Sequence, residues 1–322
     1  MSYDDDGARA AYEAWRGAGM GTSVPHADEI ARLNRDLVVA ARTMGDDEAR
    51  YLVQSFYIMQ EDRKRTESQV RSLGDEPHIV IQWLAEKNRL LEQQIARALD
   101  AYTAGHMMGG YMRGIYGIGP VLAAVLLAHI YMGRWCFICH GRTQHQHEQR
   151  MADKKLKLIK HTWQPVHSVP TAGHLWSYGG IAGDNQRPWV KGQRRPFNAE
   201  FKTLLWKCGQ SFMKFSNIEA CYYGDVYRRR KAYEVANNEA GRLAHRAAES
   251  LPHFKPTTES YTYYVRGLLP PAHIDARARR YAVKLFLSHL QAVWYQRVFH
   301  EPAPKPYAIA YLGHAHYLPP PL

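Results

Sequence analysis

The chain is predicted to be mainly α-helical. Apolar residues recur on one face at helical spacing over long stretches, residues suited to helix starts precede those stretches, and glycines close them. Three helical zones follow, and a polar, His- and Lys-rich segment interrupts the middle one.

The first zone, residues 1–108, is expected to be a helical, coiled-coil-forming dimerisation region. Residues 1–22 are rich in Gly and Ala and should be loosely ordered. A helix after Pro25 should end near Gly45, with Ile30, Leu33, Leu37 and Val38 on one face. Asp46 suits the N-cap of a second helix reaching Gly74, with Leu52, Val53, Phe56, Ile58 and Met59 in its first half. A third helix should start near Glu76–Pro77, where proline fits a first turn. Ile81, Asn88, Ile95 and Tyr102 recur there every seven residues, and Leu84, Leu91 and Ala98 form the matching row. Asn88 stands where one buried amide fixes register and partner number in a coiled coil. An ordinary amphipathic helix within one chain fits the same pattern.

Residues 109–133 open the second zone. Gly117-Ile118-Gly119-Pro120 precedes a helix over Val121 to Ile130 that is apolar nearly all round. Gly-Ile-Gly followed by Ala123 and Ala124 fits a helix-hairpin-helix. Its glycines, Gly117 and Gly119, allow the tight turn, and amides at the next helix start can face a phosphate. A Gly-rich turn into a buried helix is the plainer alternative.

Residues 134–170 look like an insertion. Cys136-x2-Cys139 is the usual first half of a zinc knuckle. The second pair is either His145 with His147 or His161 with His167, the latter at finger-like spacing. A solvated loop with two incidental thiols is the alternative.

The third zone, residues 171–322, begins with a helix closed by Gly179 and Gly180. A cation-rich loop then carries Arg187, Trp189, Lys191, Arg194, Arg195 and Phe197. Asn198 should cap a helix over Ala199 to Phe215, which carries Lys202. Arg228, Arg229, Arg230 and Lys231 follow Tyr222, Tyr223 and Tyr227. A last basic helix over Ala272 to Phe299 places Arg277, Arg280 and Lys284 on one face, before a Pro-rich extended tail. Cations interleaved with aromatics suit a groove that grips phosphates and stacks on bases. Taken singly, each charge is more simply a solvated helix face.

The charge distribution sharpens this reading. The net charge is +12, but residues 1–105 carry −5 and residues 106–322 carry +17. Such a basic block suggests a polyanionic partner. The longest apolar run, Ile118 to Ile130, is too short to span a bilayer, and no secretory signal opens the chain, so a cytoplasmic protein is expected. Four cysteines make no disulfide scaffold.

Walker A and dinucleotide-binding sequences are both missing. Acidic candidates for a metal-dependent nuclease in the basic zones are sparse: Asp153, Asp184, Glu200, Glu219, Asp225 and Glu234. Asp4-Asp5-Asp6 is too local and too terminal to serve, and residues 1–108 are too short for a ribonuclease-H-like domain.

Two blocks carry a resemblance to known proteins: Tyr116 to Ala128, and Leu175 to Gly180 with Lys202-Thr203-Leu204-Leu205-Trp206. They resemble the C-terminal domain of insertion-sequence transposases guided by a bridge RNA, over roughly residues 111–215. The chain departs from that family twice. The carboxylate-rich N-terminal domain is missing, and Ile181 to Phe197 contains no serine where the catalytic one is expected. The chain is more similar to the nuclease-less form of the TIGR-Tas proteins, whose core resembles the Nop domain of box C/D ribonucleoproteins. That resemblance implies a homodimer that holds a short guide RNA and uses it to recognise double-stranded DNA, without its own cleavage chemistry. A transposase, or a guide-free helix-hairpin-helix protein that binds duplex DNA, are the alternatives.

Overall fold

The computed structural model describes residues 35–74, 78–152, 162–183, 189–311, 313 and 317–321. The expected loose segment 1–22, the start of the helix after Pro25, His161, Asp153, Asp184 and Arg187 lie outside these residues. The fold is mainly α-helical, with one two-stranded sheet among the described residues.

After a helical stretch at 35–41, an antiparallel pair forms from α1 (Asp46–Ser72) and α2 (Ile79–Gly105). Gly45, not Asp46, is the N-cap of α1, and the Glu48 carboxylate accepts its amide N–H at 2.6 Å. Asp46 instead sits in the first turn and accepts from the Tyr102 hydroxyl at 3.0 Å, tying the start of α1 to the end of α2. His78 Nδ1 accepts from the Val80 amide to cap α2.

The heptad row of α2 is spent inside the chain. Asn88 Nδ2 donates to Thr66 Oγ1 of α1 at 3.4 Å, and Arg63 pairs with Glu92 at 2.6 Å beside it. Asn88 therefore sets the register of an intramolecular helix pair. In the second row, Ala98 is buried but Leu84 and Leu91 are exposed.

A short helix, α3 (Gly109–Gly114), leads through Gly117 and Gly119 into α4 (Pro120–His129). Residues Ala123 to Ala128 are all buried. Small side chains at 123 and 124 let α1, α2 and the later helix Ala199–Lys214 close on this one helix. Each buried leucine adds roughly 1.5–3 kcal/mol, which makes α4 the centre of the core. Arg50 of α1 donates to the Ala128 carbonyl at 2.6 Å, satisfying one of the last-turn carbonyls of α4.

The segment expected as an insertion folds on itself. β1 (Arg134–Cys136) pairs antiparallel with β2 (Pro165–His167), and α5 (Gln144–Met151) lies between them in sequence. Thr143 caps α5.

The third zone builds the rest of the core around one long helix. α6 (Ala172–Tyr178), α7 (Ala199–Lys214) and α8 (Tyr222–Glu239) all pack on α11 (Pro271–Phe299). Asn198 caps α7 as expected, its Oδ1 accepting from the Phe201 amide at 2.9 Å. Phe212, Tyr223 and Phe286 meet edge-on and tilted, with centroids 5.0–5.6 Å apart. A satellite core of Leu243, Ala247, Tyr264, Leu269 and Ile274 forms under α9 (Ala244–Ser250) and α10 (Glu259–Val265). The tail is not wholly extended: α12 (Tyr307–Ala310) interrupts it, and His289 Nε2 donates to the Leu318 carbonyl at 2.8 Å. No described helix is long and apolar enough to cross a membrane.

Candidate functional site

Two groups of side chains stand out, a buried Cys/His cluster and a cationic surface. The cluster begins at the end of β1. The chain turns back after Cys136, with the His140 amide bonded to the Cys136 carbonyl and the Cys136 amide to the Gly141 carbonyl. His140 takes a positive φ of 55° to make this turn, and the Gly141 amide points at Cys139 Sγ, 3.3 Å away. Both thiols are buried. His147 of α5 brings Nδ1 to 3.1 Å from Cys139 Sγ. The ligand atoms of Cys136, Cys139 and His147 lie within 4.8 Å of one another, so the cluster could hold a metal ion. Burial opposes ionising Cys136, but the Cys139 amide and thiol and the Ile138 amide donate to its sulfur and hold it below the ordinary thiol value.

Of the expected second ligands, His147 alone joins the thiols among the described residues, and His161 lies outside them. His145 and His147 are two residues apart on a helix, so they project to opposite sides. His145 is exposed against Gln149, and only His147 joins the thiols. His167 is not among the gathered donors of the described residues. It stacks on Phe299 at 4.2 Å and its Nδ1 pairs with the Tyr295 hydroxyl at 2.8 Å, docking β2 onto α11.

The cationic surface gathers at the start of α7. Arg195 lies over the half-exposed Trp189 ring at 5.1 Å, and Lys202 over Phe197 at 4.2 Å. Gly180, at φ 65°, makes room for Phe197, whose ring a Cβ there would meet at 2.7 Å. Partial burial, then Arg280 and Arg195, push the Lys202 ammonium below the usual lysine value. Arg280 of α11 and Arg195 of the loop thus both act on Lys202 of α7. Lys191 and Arg194 are exposed beside it, and Asn198 Nδ2 donates to the Tyr178 hydroxyl at 2.8 Å. Lys284 lies one turn further along α11, over Trp176 at 4.4 Å. It borders a cavity of about 330 Å³ between α6, α11 and the tail.

The run at 228–231 belongs elsewhere. Arg228 and Arg229 both pair with Asp225 at 2.7 Å. Arg230 and Arg277 share the buried carboxylate of Glu234, at 2.6 and 2.8 Å. Lys231 and Arg279 share Asp275, at 3.1 and 2.8 Å. The Glu234–Arg277 and Lys231–Asp275 pairs fasten α8 to α11, while Arg228 and Arg229 pair within α8 and stay exposed. Of the cations foreseen on α11, Arg280 is the one that joins the patch at Lys202.

At the hairpin, Gly117 takes φ 93° and its carbonyl accepts from Ser211 of α7 at 2.5 Å. Gly119 caps α4, whose exposed start carries first-turn amides with no intrahelical acceptor. Sequence reasoning did not assign Trp206 a role, although it is four residues after Lys202 and thus on the same face of α7. No two of the described acidic candidates converge: Glu200 contacts Gln54 and His129, while Asp225 and Glu234 hold arginines. No protein-family model, curated protein or solved structure matches the chain.

Proposed function

We propose that this protein holds a short guide RNA as a ribonucleoprotein and uses it to bind double-stranded DNA, without a nuclease of its own. The observation that carries the nucleic-acid part is the crowding of Lys202, Arg195 and Arg280 beside Trp189 and Phe197. Phosphates bound there would offset the repulsion that Arg280 and Arg195 exert on Lys202 and release counterions. The guide-dependent part rests on the resemblance carried by residues 111–215. In this reading base pairing reads the target and the protein grips backbone and shape.

Zinc completes the reading of residues 134–170. Two thiolates and an imidazole are soft and borderline donors that suit Zn²⁺. Cys136, Cys139 and His147 would hold it, and its part would be structural, fixing the turn after β1 against α5. Two copies of the chain would meet through the exposed apolar face of α2.

Nucleic acid recovered with the purified protein tests the reading. A discrete small RNA supports it. Heterogeneous duplex DNA favours the guide-free alternative, in which the exposed start of α4 contacts phosphate. Arg194→Ala with Arg195→Ala should weaken RNA binding and flatten its salt dependence while leaving the fold intact, because both side chains are exposed. A folded double variant that binds RNA like wild type at several salt concentrations places the site elsewhere.

A further inference from the structure

A second feature adjoins the cationic patch. Between α7 and α11 lies a cleft of about 170 Å³. Leu205 and Gly209 of α7 and Val283 of α11 form its floor, and Ile181 closes one end. The slot depends on glycine: a Cβ at 209 would meet Val283 Cγ2 at 3.3 Å and Arg279 Cβ at 3.5 Å, so a longer side chain would fill it. The rim carries Lys202, Trp206, Arg279 and Arg280. Trp206 is 59 % exposed, a large indole left at the mouth of an apolar slot.

An apolar floor alone would accept any aliphatic or aromatic group. The cations on the rim restrict the occupant to something anionic beside its apolar body. The indole favours a planar body, because flat rings stack on it with little ordering of either partner. The volume leaves room for a single ring system and excludes a duplex, whose width exceeds the slot. The geometry points to the α7–α11 cleft as the pocket for one unstacked base of bound single-stranded RNA, with the adjoining phosphate on Lys202 and Arg280. This inference rests on the nucleic-acid reading above and deepens it. It also gives direction to the surface: the ring–cation pairs Trp189 with Arg195 and Phe197 with Lys202 adjoin the cleft that Trp206 and Arg280 line.

The test uses the full chain and two fluorescein-labelled probes, a short oligouridylate and the same backbone with abasic residues. Wild type should bind the base-bearing strand roughly tenfold more tightly, the scale of one stacked base. Trp206→Ala should abolish that preference without changing affinity for the abasic strand, and Trp206→Phe should restore part of it. Lys202→Gln should weaken both strands alike. Circular dichroism melting of each variant verifies that it is folded. Full base preference in Trp206→Ala overturns the pocket. Equal binding of both strands by wild type also overturns it, while leaving the electrostatic reading standing. Binding of neither strand removes the nucleic-acid reading itself. Displacement of oligouridylate by an oligoglutamate peptide at equal charge overturns the pocket in favour of an acidic protein partner.

Discussion

His147 shows how much one side chain decides. The Cys136-x2-Cys139 spacing is visible in the sequence and the turn follows from it. The third donor depends on which side of α5 faces the turn, a matter of helical phase that two neighbouring histidines cannot reveal. His167 differs for another reason: Tyr295 and Phe299, which hold it, are more than a hundred residues away and cannot be read from its neighbourhood in the sequence. The purified protein is expected to carry about one zinc per chain, since the donors are already gathered. Cys139→Ser should lower this far below one equivalent, as read by metal analysis after dialysis. His167→Ala should leave the zinc in place while loosening β2 from α11. Zinc far below one equivalent in the wild-type protein returns Cys136 and Cys139 to ordinary buried thiols, and loss of zinc in His167→Ala makes that histidine a ligand after all.

The α8–α11 pair shows the same limits one scale up. The expected helix over Ala272 to Phe299 matches α11 to within a residue, whereas α8 shows in the sequence only as tyrosines followed by cations. The purpose of the charges on both helices was not legible. Arg230 and Glu234 stand four apart and could be paired from sequence. Arg277 and Asp275 come from another helix, so the sequence does not show that Arg230 and Lys231 belong to a fastening, while Arg228 and Arg229 stay exposed on α8. Glu234 is the centre of that fastening. Burial raises the pKa of its carboxyl, but Arg277 and Arg230 outweigh burial and hold it below the ordinary value of 4.5. A depressed folded-state pKa means the contribution is fully present above 4.5 and is lost as the pH falls through the lower folded value. Glu234→Gln should therefore destabilise the protein at neutral pH. Removing one partner of a buried pair costs about 3–5 kcal/mol, and here about 2 kcal/mol is expected because both arginines can turn toward water. Urea unfolding at neutral pH measures the loss. The same experiment repeated well below 4.5, beneath the folded value, should show the variant and wild type converging; a gap that persists unchanged there shows that Glu234 acts through packing and not through its charge.

At the scale of the whole molecule, charge and apolar surface divide the labour. The acidic zone folds as the α1–α2 pair and the basic zone surrounds α11, and side chains of both zones share one core across residue 108. What the sequence left open was the use of the heptad. Of its two rows, one is satisfied by α1 through Asn88 and Thr66. The other leaves Leu84 and Leu91 exposed with Val80 and Trp83, all on one face of α2. Large side chains gathered on a single helix face, in a region of net negative charge, suit a like face better than they suit a polyanion. Trp83 is 58 % exposed and Leu91 48 %, and each such side chain adds roughly 1.5–3 kcal/mol when fully buried. Two copies laid face to face would bury both sets at once, which is enough to hold a dimer at micromolar concentration when several residues contribute. Trp83→Glu with Leu91→Glu changes only exposed positions, so the α1–α2 pair should survive it. Sedimentation equilibrium on the full chain is expected to show a dimer for wild type and a monomer for the double variant, with unchanged helical content. RNA binding by the monomer should persist, because the cations at Lys202 lie on other helices, but with a lower apparent affinity wherever one RNA spans both copies. A wild-type protein that stays monomeric at high micromolar concentration, or a double variant that stays dimeric, removes α2 as the contact between copies.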